Sequence, residues 1–255
     1  CLPYMIIKMG RRIKTLKACM VLLGVGGLLA FGAYQFTDNL STAIIIFAIT
    51  AGLIFVAPPD TKIFFILGGA GLAGIAAVVM FLNTTVSVDG DIRFRLRRIM
   101  VWLHPEDFAD TWGYQTIQAL YAIGSGGFFG RGLGNSIQKL GSVPEAQNDM
   151  IFSIICEELG IFGGIIVLLL YAYLLYRLFF IAQNAPDMFG SLMVSGIFIH
   201  IALQVILNIA VVVNLMPNTG VTLPFISYGG TSIVFLMAEM GLALSVARQI
   251  KFKDS

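Results

Sequence analysis

The sequence predicts an all-α, polytopic transmembrane bundle. Three observations carry this: 58% of the 255 residues are hydrophobic, only 12% are charged, and the mean hydropathy is +0.88. Soluble domains average about half apolar and a quarter charged. A bilayer core takes about 20 apolar residues per helix, and six stretches of that kind follow one another, at about 18–34, 41–57, 63–82, 150–176, 188–213 and 226–247. The chain, 1–255, reads as a single membrane domain.

Sidedness follows from the basic residues, because cytoplasmic loops carry excess Lys and Arg. Residues 1–17 hold Lys8, Arg11, Arg12, Lys14 and Lys17, which places this segment inside. Six crossings then put Lys62, Arg177 and the tail 248–255, with Arg248, Lys251 and Lys253, inside as well. Outside fall a short turn, one long loop at 83–149 and a second loop at 214–225. The formal net charge of +2 is too small to argue for nucleic-acid binding. The long outer loop nevertheless holds Arg93, Arg95, Arg97, Arg98, Arg131 and Lys139. Long loops translocate largely regardless of charge, so these residues are either tolerated or form a functional basic surface. Cys1, Cys19 and Cys156 lack CxxC spacing and predict packing thiols rather than a disulfide framework or a zinc site. The opening CLPYMIIK reads like the tail of an earlier apolar segment, so further spans are expected before it.

Within the third span, Gly68, Gly69, Gly71, Ala73 and Gly74 allow close helix packing in lipid. His200, Gln204 and Asn208 recur every four residues and so share one helix face. A polar stripe at that depth faces protein or water, as interhelical hydrogen bonding or as a cavity lining. In the outer loop, FRLRRIMVWLHPEDFADTWGYQTIQALYAIGSGG mixes arginines and aromatics with apolar residues at helical spacing, as a segment in the interface plane does. GSGGFFGRGLGNS follows no strand, so its glycines are not a dinucleotide fingerprint. They form either a flexible connector or a backbone turn that accepts an anion.

Chemistry concentrates in VPEAQNDMIFSIICEELG. Pro144 predicts a helix start, which would set Glu145 and Asp149 on one face. Glu157 and Glu158 then lie roughly 12 to 14 Å further along the axis. Carboxylates at such depth are functional or paired, and Glu239 in the last span reads as a packing or ion-pair partner. Asp149 stands where the apolar helix meets the outer surface, open to water. It is either a general base or a helix N-terminal carboxylate favoured by the macrodipole, and spacing does not choose between them. In NLMPNTGVTLPFISYGGTS, Pro217, Gly220, Pro224, Gly229 and Gly230 keep the backbone irregular near membrane depth. Such backbone survives only inside protein or beside a cavity, here as a re-entrant loop lining a site or as a tight corner.

The stretches GYQTIQAL, GGFFGRGLGNSIQKL, PEAQNDMIFSIICEELG and MPNTGVTLPFISYGGTS resemble the SEDS family, the FtsW, RodA and SpoVE proteins of bacterial cell-wall synthesis. The GLGNSIQKL and NTGVTLPFISYGG forms look more like the division and sporulation branch. The resemblance implies a ten-span fold, of which the six spans here match the last six. It also implies a bacterial plasma-membrane glycosyltransferase that polymerises lipid II, an undecaprenyl-pyrophosphate-linked disaccharide peptide, on the outer face.

By the same resemblance the family's essential aspartate falls on Asp149, and its motif glutamates fall on Glu145, Glu157 and Glu158. Gln147 and Asn148 replace the usual histidine-threonine pair, and Asn39 stands where an aspartate is usual. An acceptor hydroxyl must attack the anomeric carbon as lipid pyrophosphate leaves, which calls for a base and an anion stabiliser. Asp149 is the expected base. Arg93, Arg95, Arg97, Arg98, Arg131 and Lys139, with Ser227, Tyr228, Gly229 and Gly230, are the expected substrate-binding residues. A divalent cation, Mg or Mn, on Glu145 and Asp149 is the expected cofactor. The implied partners are lipid II, a class B penicillin-binding protein and other division or elongation machinery, with no nucleic acid. A lipid II flippase, or a scaffold for the transpeptidase, is the competing expectation.

Overall fold

The structure, a computed structural model, describes residues 2–10, 16–37, 40–57, 94–140 and 143–250. Its regular structure is helical, with no strand among these residues. The helices are α1 (Leu2–Met9), α2 (Leu16–Thr37), α3 (Leu40–Val56), α4 (Phe94–Leu103), α5 (Tyr114–Gly126), α6 (Ile151–Asn184), α7 (Met188–Val212) and α8 (Gly230–Arg248). Single 3-10 turns lie at Pro105–Phe108 and Gln138–Leu140. Four of the helices, α2, α6, α7 and α8, are long and apolar enough to cross a membrane, and α3 is a shorter apolar helix. The predicted span at 63–82, with its small-residue run, lies outside the described residues, as do Asn39 and Arg93.

Two compact units divide the chain, one of Cys1–Thr61, Leu169–Val205 and Gly229–Ser255, the other of Lys62–Leu168 and Ile206–Tyr228. In the first unit α2 and α3 approach closely because Gly26 has no side chain. A Cβ there would stand 2.4 Å from the Thr50 side chain. Thr50 is fully buried and satisfies its own hydroxyl by donating to the Ile46 carbonyl at 2.9 Å. Apolar side chains such as Leu169, Leu170 and Tyr173 remain on the outer face of α6, the arrangement expected where lipid replaces water.

The second unit is organised by a break in α6. Gly160 has φ +70°, outside the helical region, so the helix ladder is interrupted on both sides of it. The freed backbone groups cannot turn to water at membrane depth and need protein partners. The glycine-rich loop supplies them. The amides of Arg131 and Gly132 donate to the Glu157 and Glu158 carbonyls at 2.9 Å, and the amides of Ile161 and Phe162 donate back to the Gly127 and Phe128 carbonyls at 3.0 and 3.3 Å. A Cβ on Gly130 would stand 2.2 Å from the Glu158 carbonyl oxygen, and one on Gly126 2.0 Å from that of Cys156. The loop is therefore neither a flexible connector nor an anion nest, since these amides are already committed to α6.

Two helix starts differ from the sequence expectation. Residues 144–150 form turns, and α6 begins at Ile151 rather than at Pro144, because Glu145 adopts φ +53°, which no helix contains. The last span begins at Gly230 rather than near 226, because Phe225 has φ +63° and Gly229 is extended.

Gly160→Ala would force a side chain into a left-handed conformation with its Cβ 2.4 Å from the Phe128 carbonyl oxygen. We expect it to lower stability by about 2 kcal/mol or more, read as a lower thermal midpoint in detergent. Gly241→Ala, where a Cβ meets nothing within 4 Å, should leave the midpoint unchanged or raise it.

Candidate active site

Asp149 lies at the end of the 144–150 turns, held by its backbone from two directions. Asn208 of α7 is buried, and its amide donates to the carbonyls of Asp149 and Val221, both at 2.7 Å. Ser227 donates its hydroxyl to the Asn148 carbonyl at 2.6 Å and accepts the Leu223 amide at 2.7 Å. The Tyr228 amide closes the set by donating to the Gln147 carbonyl at 2.9 Å. The irregular loop before α8 is thus a structured wall of the site. It grips residues 147 and 148 through the Ser227 hydroxyl and the Tyr228 amide.

The carboxylate itself is poorly compensated. Asp149 is 7% exposed, so it is covered rather than open to water as its sequence position suggested. The side-chain donor reaching it is Gln115 of α5, whose amide stands 3.4 Å from Oδ1 and also donates to the Pro144 carbonyl at 3.2 Å. Gln115 is fixed in turn by Asn218, whose amide donates to its Oε1 at 2.9 Å, and Arg98 of α4 donates to the Asn218 carbonyl at 3.3 Å. Burial raises the carboxyl of Asp149 from 3.8 to about 6. The Asp149 backbone amide opposes this, the negative charge of Glu145 adds to it, and Arg98 pulls it down. A carboxyl near 6 is ionised at neutral pH yet basic enough to take a proton.

Glu157 has the opposite environment. It is fully buried, but its carboxylate accepts the Ser136 hydroxyl, the Ile137 and Gln138 amides at 3.2 and 3.3 Å, and the Ser125 hydroxyl at 3.4 Å. Arg131 lies 3.7 Å away. Glu158 pairs at 3.5 Å with Lys139. Two of the expected substrate-binding cations are therefore engaged with the glutamates that follow Asp149. Arg98 is placed on the Asp149 side, while Arg93 and the side chains of Arg95 and Arg97 lie outside the described residues.

Glu145 is exposed, and its carboxylate accepts the Asn148 side-chain amide. It does not share a helix face with buried Asp149, because the intervening residues are turns. Among the described residues, no group of three or more His, Cys, Asp or Glu side chains stands together. A divalent cation on Glu145 and Asp149 would need substrate phosphate oxygens to complete its shell, the usual habit of Mg²⁺. The side chain of Tyr228 is exposed, and Gly229 and Gly230 open α8.

The polar stripe of α7 divides between the two units. In the first unit, Nδ1 of His200 meets both carboxylate oxygens of Glu239 at 2.9 and 3.0 Å. Gln204 joins them along a cavity of about 630 Å³. Asn208, four residues on, works in the second unit on Asp149. Sequence reasoning missed Gln115 and Asn218, although Gln115 lies within the GYQTIQAL stretch.

The burial of Asp149 makes a prediction about stability. Its folded value lies above its unfolded one, so the native state binds more protons between about pH 4 and 6, and stability falls as pH rises through that window. Asp149→Asn removes this cost. Its thermal midpoint should match wild type near pH 4 and exceed it at pH 8, by a difference of up to roughly 3 kcal/mol. A constant offset across pH would overturn the assignment.

Comparison with known proteins follows the same residues. The FtsW/RodA/SpoVE cell cycle protein family matches residues 3–252. Stage V sporulation protein E of Bacillus subtilis is 42% identical over 223 residues, covering 88% of this chain and 58% of the relative. The probable peptidoglycan glycosyltransferase FtsW of the same organism is 41% identical over 190 residues, covering 74% and 46%. The chain thus spans about half the length of these relatives. Among solved structures, a chain of a peptidoglycan synthase complex that coordinates polymerization and crosslinking superposes with a TM-score of 0.67 at 26% identity, covering 89% of this chain and 62% of that one. The rod shape determining protein RodA of Thermus thermophilus, 24% identical with a TM-score of 0.57 over 98% and 64% of the two chains, shares the fold. This chain, a multi-pass membrane protein, belongs to the FtsW/RodA/SpoVE family.

Proposed function

We propose that this chain carries the catalytic part of a peptidoglycan glycosyltransferase that polymerises lipid II at the outer face of the bacterial plasma membrane. The observation that carries the reading is the buried carboxyl of Asp149, raised to about 6. A general base works best when its pKa lies near the operating pH. Here burial does the tuning, while Asn208, Ser227 and the Tyr228 amide hold the backbone that aims the carboxylate.

In this mechanism Asp149 takes the proton from the acceptor sugar hydroxyl as that oxygen attacks the anomeric carbon of the donor. The bond from that carbon to the pyrophosphate oxygen breaks, and the lipid pyrophosphate leaves. Arg98, whose charge already acts on Asp149, is the cation on this side of the site to meet the developing negative charge. If a divalent cation binds, Glu145 and Asp149 are the carboxylates that would hold it, and it would supply neutralisation of charge on the leaving group. Arg131 and Lys139 serve differently, holding the loop against α6 through Glu157 and Glu158. The likeness to a peptidoglycan synthase complex supports a transpeptidase partner of the class B penicillin-binding type.

Asp149→Asn keeps the shape of the side chain and removes the base. In full-length protein with its partner, it should lower glycan polymerisation from purified lipid II by about 10² to 10⁴, measured as polymer formed per time, without weakening partner binding. Polymer yield equal to wild type would overturn the reading and leave flippase or scaffold roles standing.

A further inference from the structure

Beside Asp149, in the same unit, lies a cavity of about 220 Å³ lined by Arg98, Trp102, Trp112, Gln115, Asn214 and Asn218, with Val101 and Thr116 completing it. Its chemistry is distinctive. The chain contains two tryptophans, and both line this one cavity. The remaining lining is three amides, one hydroxyl, one guanidinium and the aliphatic Val101, with no carboxylate, histidine or thiol that would hold a metal. An acyl or isoprenoid tail would want an apolar wall, and a phosphate alone would want more than one cation without two indoles.

A sugar ring matches what is present. Its C–H faces are apolar and weakly positive, so they pack on the electron-rich faces of indoles, while its rim of hydroxyls seeks planar amides and guanidinium. The volume falls below the roughly 300 to 1,000 Å³ of sites for drug-sized ligands, which suits one ring. The lining is also held in place. The indole N–H of Trp102 donates to the Asn214 carbonyl at 3.1 Å, and Asn218 and Arg98 fix one another through the Asn218 carbonyl at 3.3 Å. Gln115 is the link to the chemistry, because it lines the cavity and its amide also reaches the Asp149 carboxylate at 3.4 Å.

Resting on the polymerase reading above, we infer that this cavity is a subsite for one sugar ring of the acceptor glycan, with Gln115 coupling the ring's position to Asp149. Gln115 is a positioning residue in this arrangement, since it acts through the carboxylate it touches.

The test reads binding by calorimetry, so that only association of the added sugar is measured. The full-length protein in lipid nanodiscs, free of sugar-headed detergent, is titrated with the soluble peptidoglycan disaccharide lacking lipid and pyrophosphate. We expect a saturable heat of binding. Trp112→Ala, at a side chain 57% exposed and so tolerant of replacement, should weaken the apparent affinity roughly ten-fold, the order seen when a central aromatic contact is truncated. Trp102→Phe, which keeps a ring but loses the bond to Asn214, should weaken it to a smaller degree. Tyr121→Ala, on α5 but outside the cavity, should bind as wild type. Asp149→Asn should still bind the disaccharide saturably while its polymerisation falls as stated above, which separates the two readings. No saturable heat in a wild-type sample that polymerises lipid II, or equal affinity in Trp112→Ala, would overturn the subsite and leave the polymerase reading intact.

Discussion

The second unit depends on how a broken membrane helix satisfies its backbone. At Gly160 the ladder of α6 stops and restarts, and each unsatisfied group left there would cost several kcal/mol in lipid. The loop after α5 repairs the break with four backbone hydrogen bonds. That repair demands glycine at Gly130 and Gly160, where backbone approaches backbone too closely for any Cβ. It also draws residues 127–132 against α6 and so fixes α5, which carries Gln115. The geometry around Asp149 is thus downstream of a packing problem at a different point of the helix.

The carboxylate of Glu157 completes the same repair. A fully buried charge carries a desolvation penalty of several kcal/mol. Four hydrogen bonds to a charged acceptor, at roughly 1.5 to 3 kcal/mol each, together with Arg131 at 3.7 Å, are of the size needed to offset it. The donors come from Ser125, Ser136, Ile137 and Gln138, on both sides of the glycine run. Glu157 therefore ties the loop down by its side chain where the helix break ties it by backbone. Glu158, less buried, anchors Lys139 beyond.

What could be read from sequence divides along physical lines. Hydrophobic length is local information, so the described spans were legible to within a few residues at most ends. The family motif marked Asp149 as the expected base. The break in α6 was not legible, because Gly160 sits in a run whose hydropathy is continuous and glycines are common in membrane helices. The turns at 144–150 differ from the helix that Pro144, a strong start signal, leads one to expect, and their carbonyls at 147–149 are held by Tyr228, Ser227 and Asn208, partners far away in sequence. Gln115 was invisible as a site residue because its partners lie 34 and 103 positions away, a separation that no periodicity encodes. The pairing of His200 with Glu239 spans two helices in the same way.

Asp149 and Glu157 show how one helix start can hold two carboxylates in different roles. Both are buried and eight positions apart, so burial alone does not distinguish them. The donors do. Glu157 is surrounded by hydroxyls, amides and a guanidinium that hold it in place. Asp149 meets the Gln115 amide at 3.4 Å, and its burial, helped by the like charge on Glu145, outweighs its own backbone amide and the attraction of Arg98, so its carboxyl is raised to about 6. That shift is a stability cost to the fold at pH above the unfolded value. The backbone clamp of Asn208, Ser227 and Tyr228 is then required twice over, to hold a carboxylate that would otherwise turn toward water and to hold it where an acceptor can reach it. Environments that push two carboxyls toward different roles distinguish a candidate for chemistry from a structural group, and on that criterion Asp149 is the residue on which the proposed reaction rests, while Glu157 belongs to the architecture.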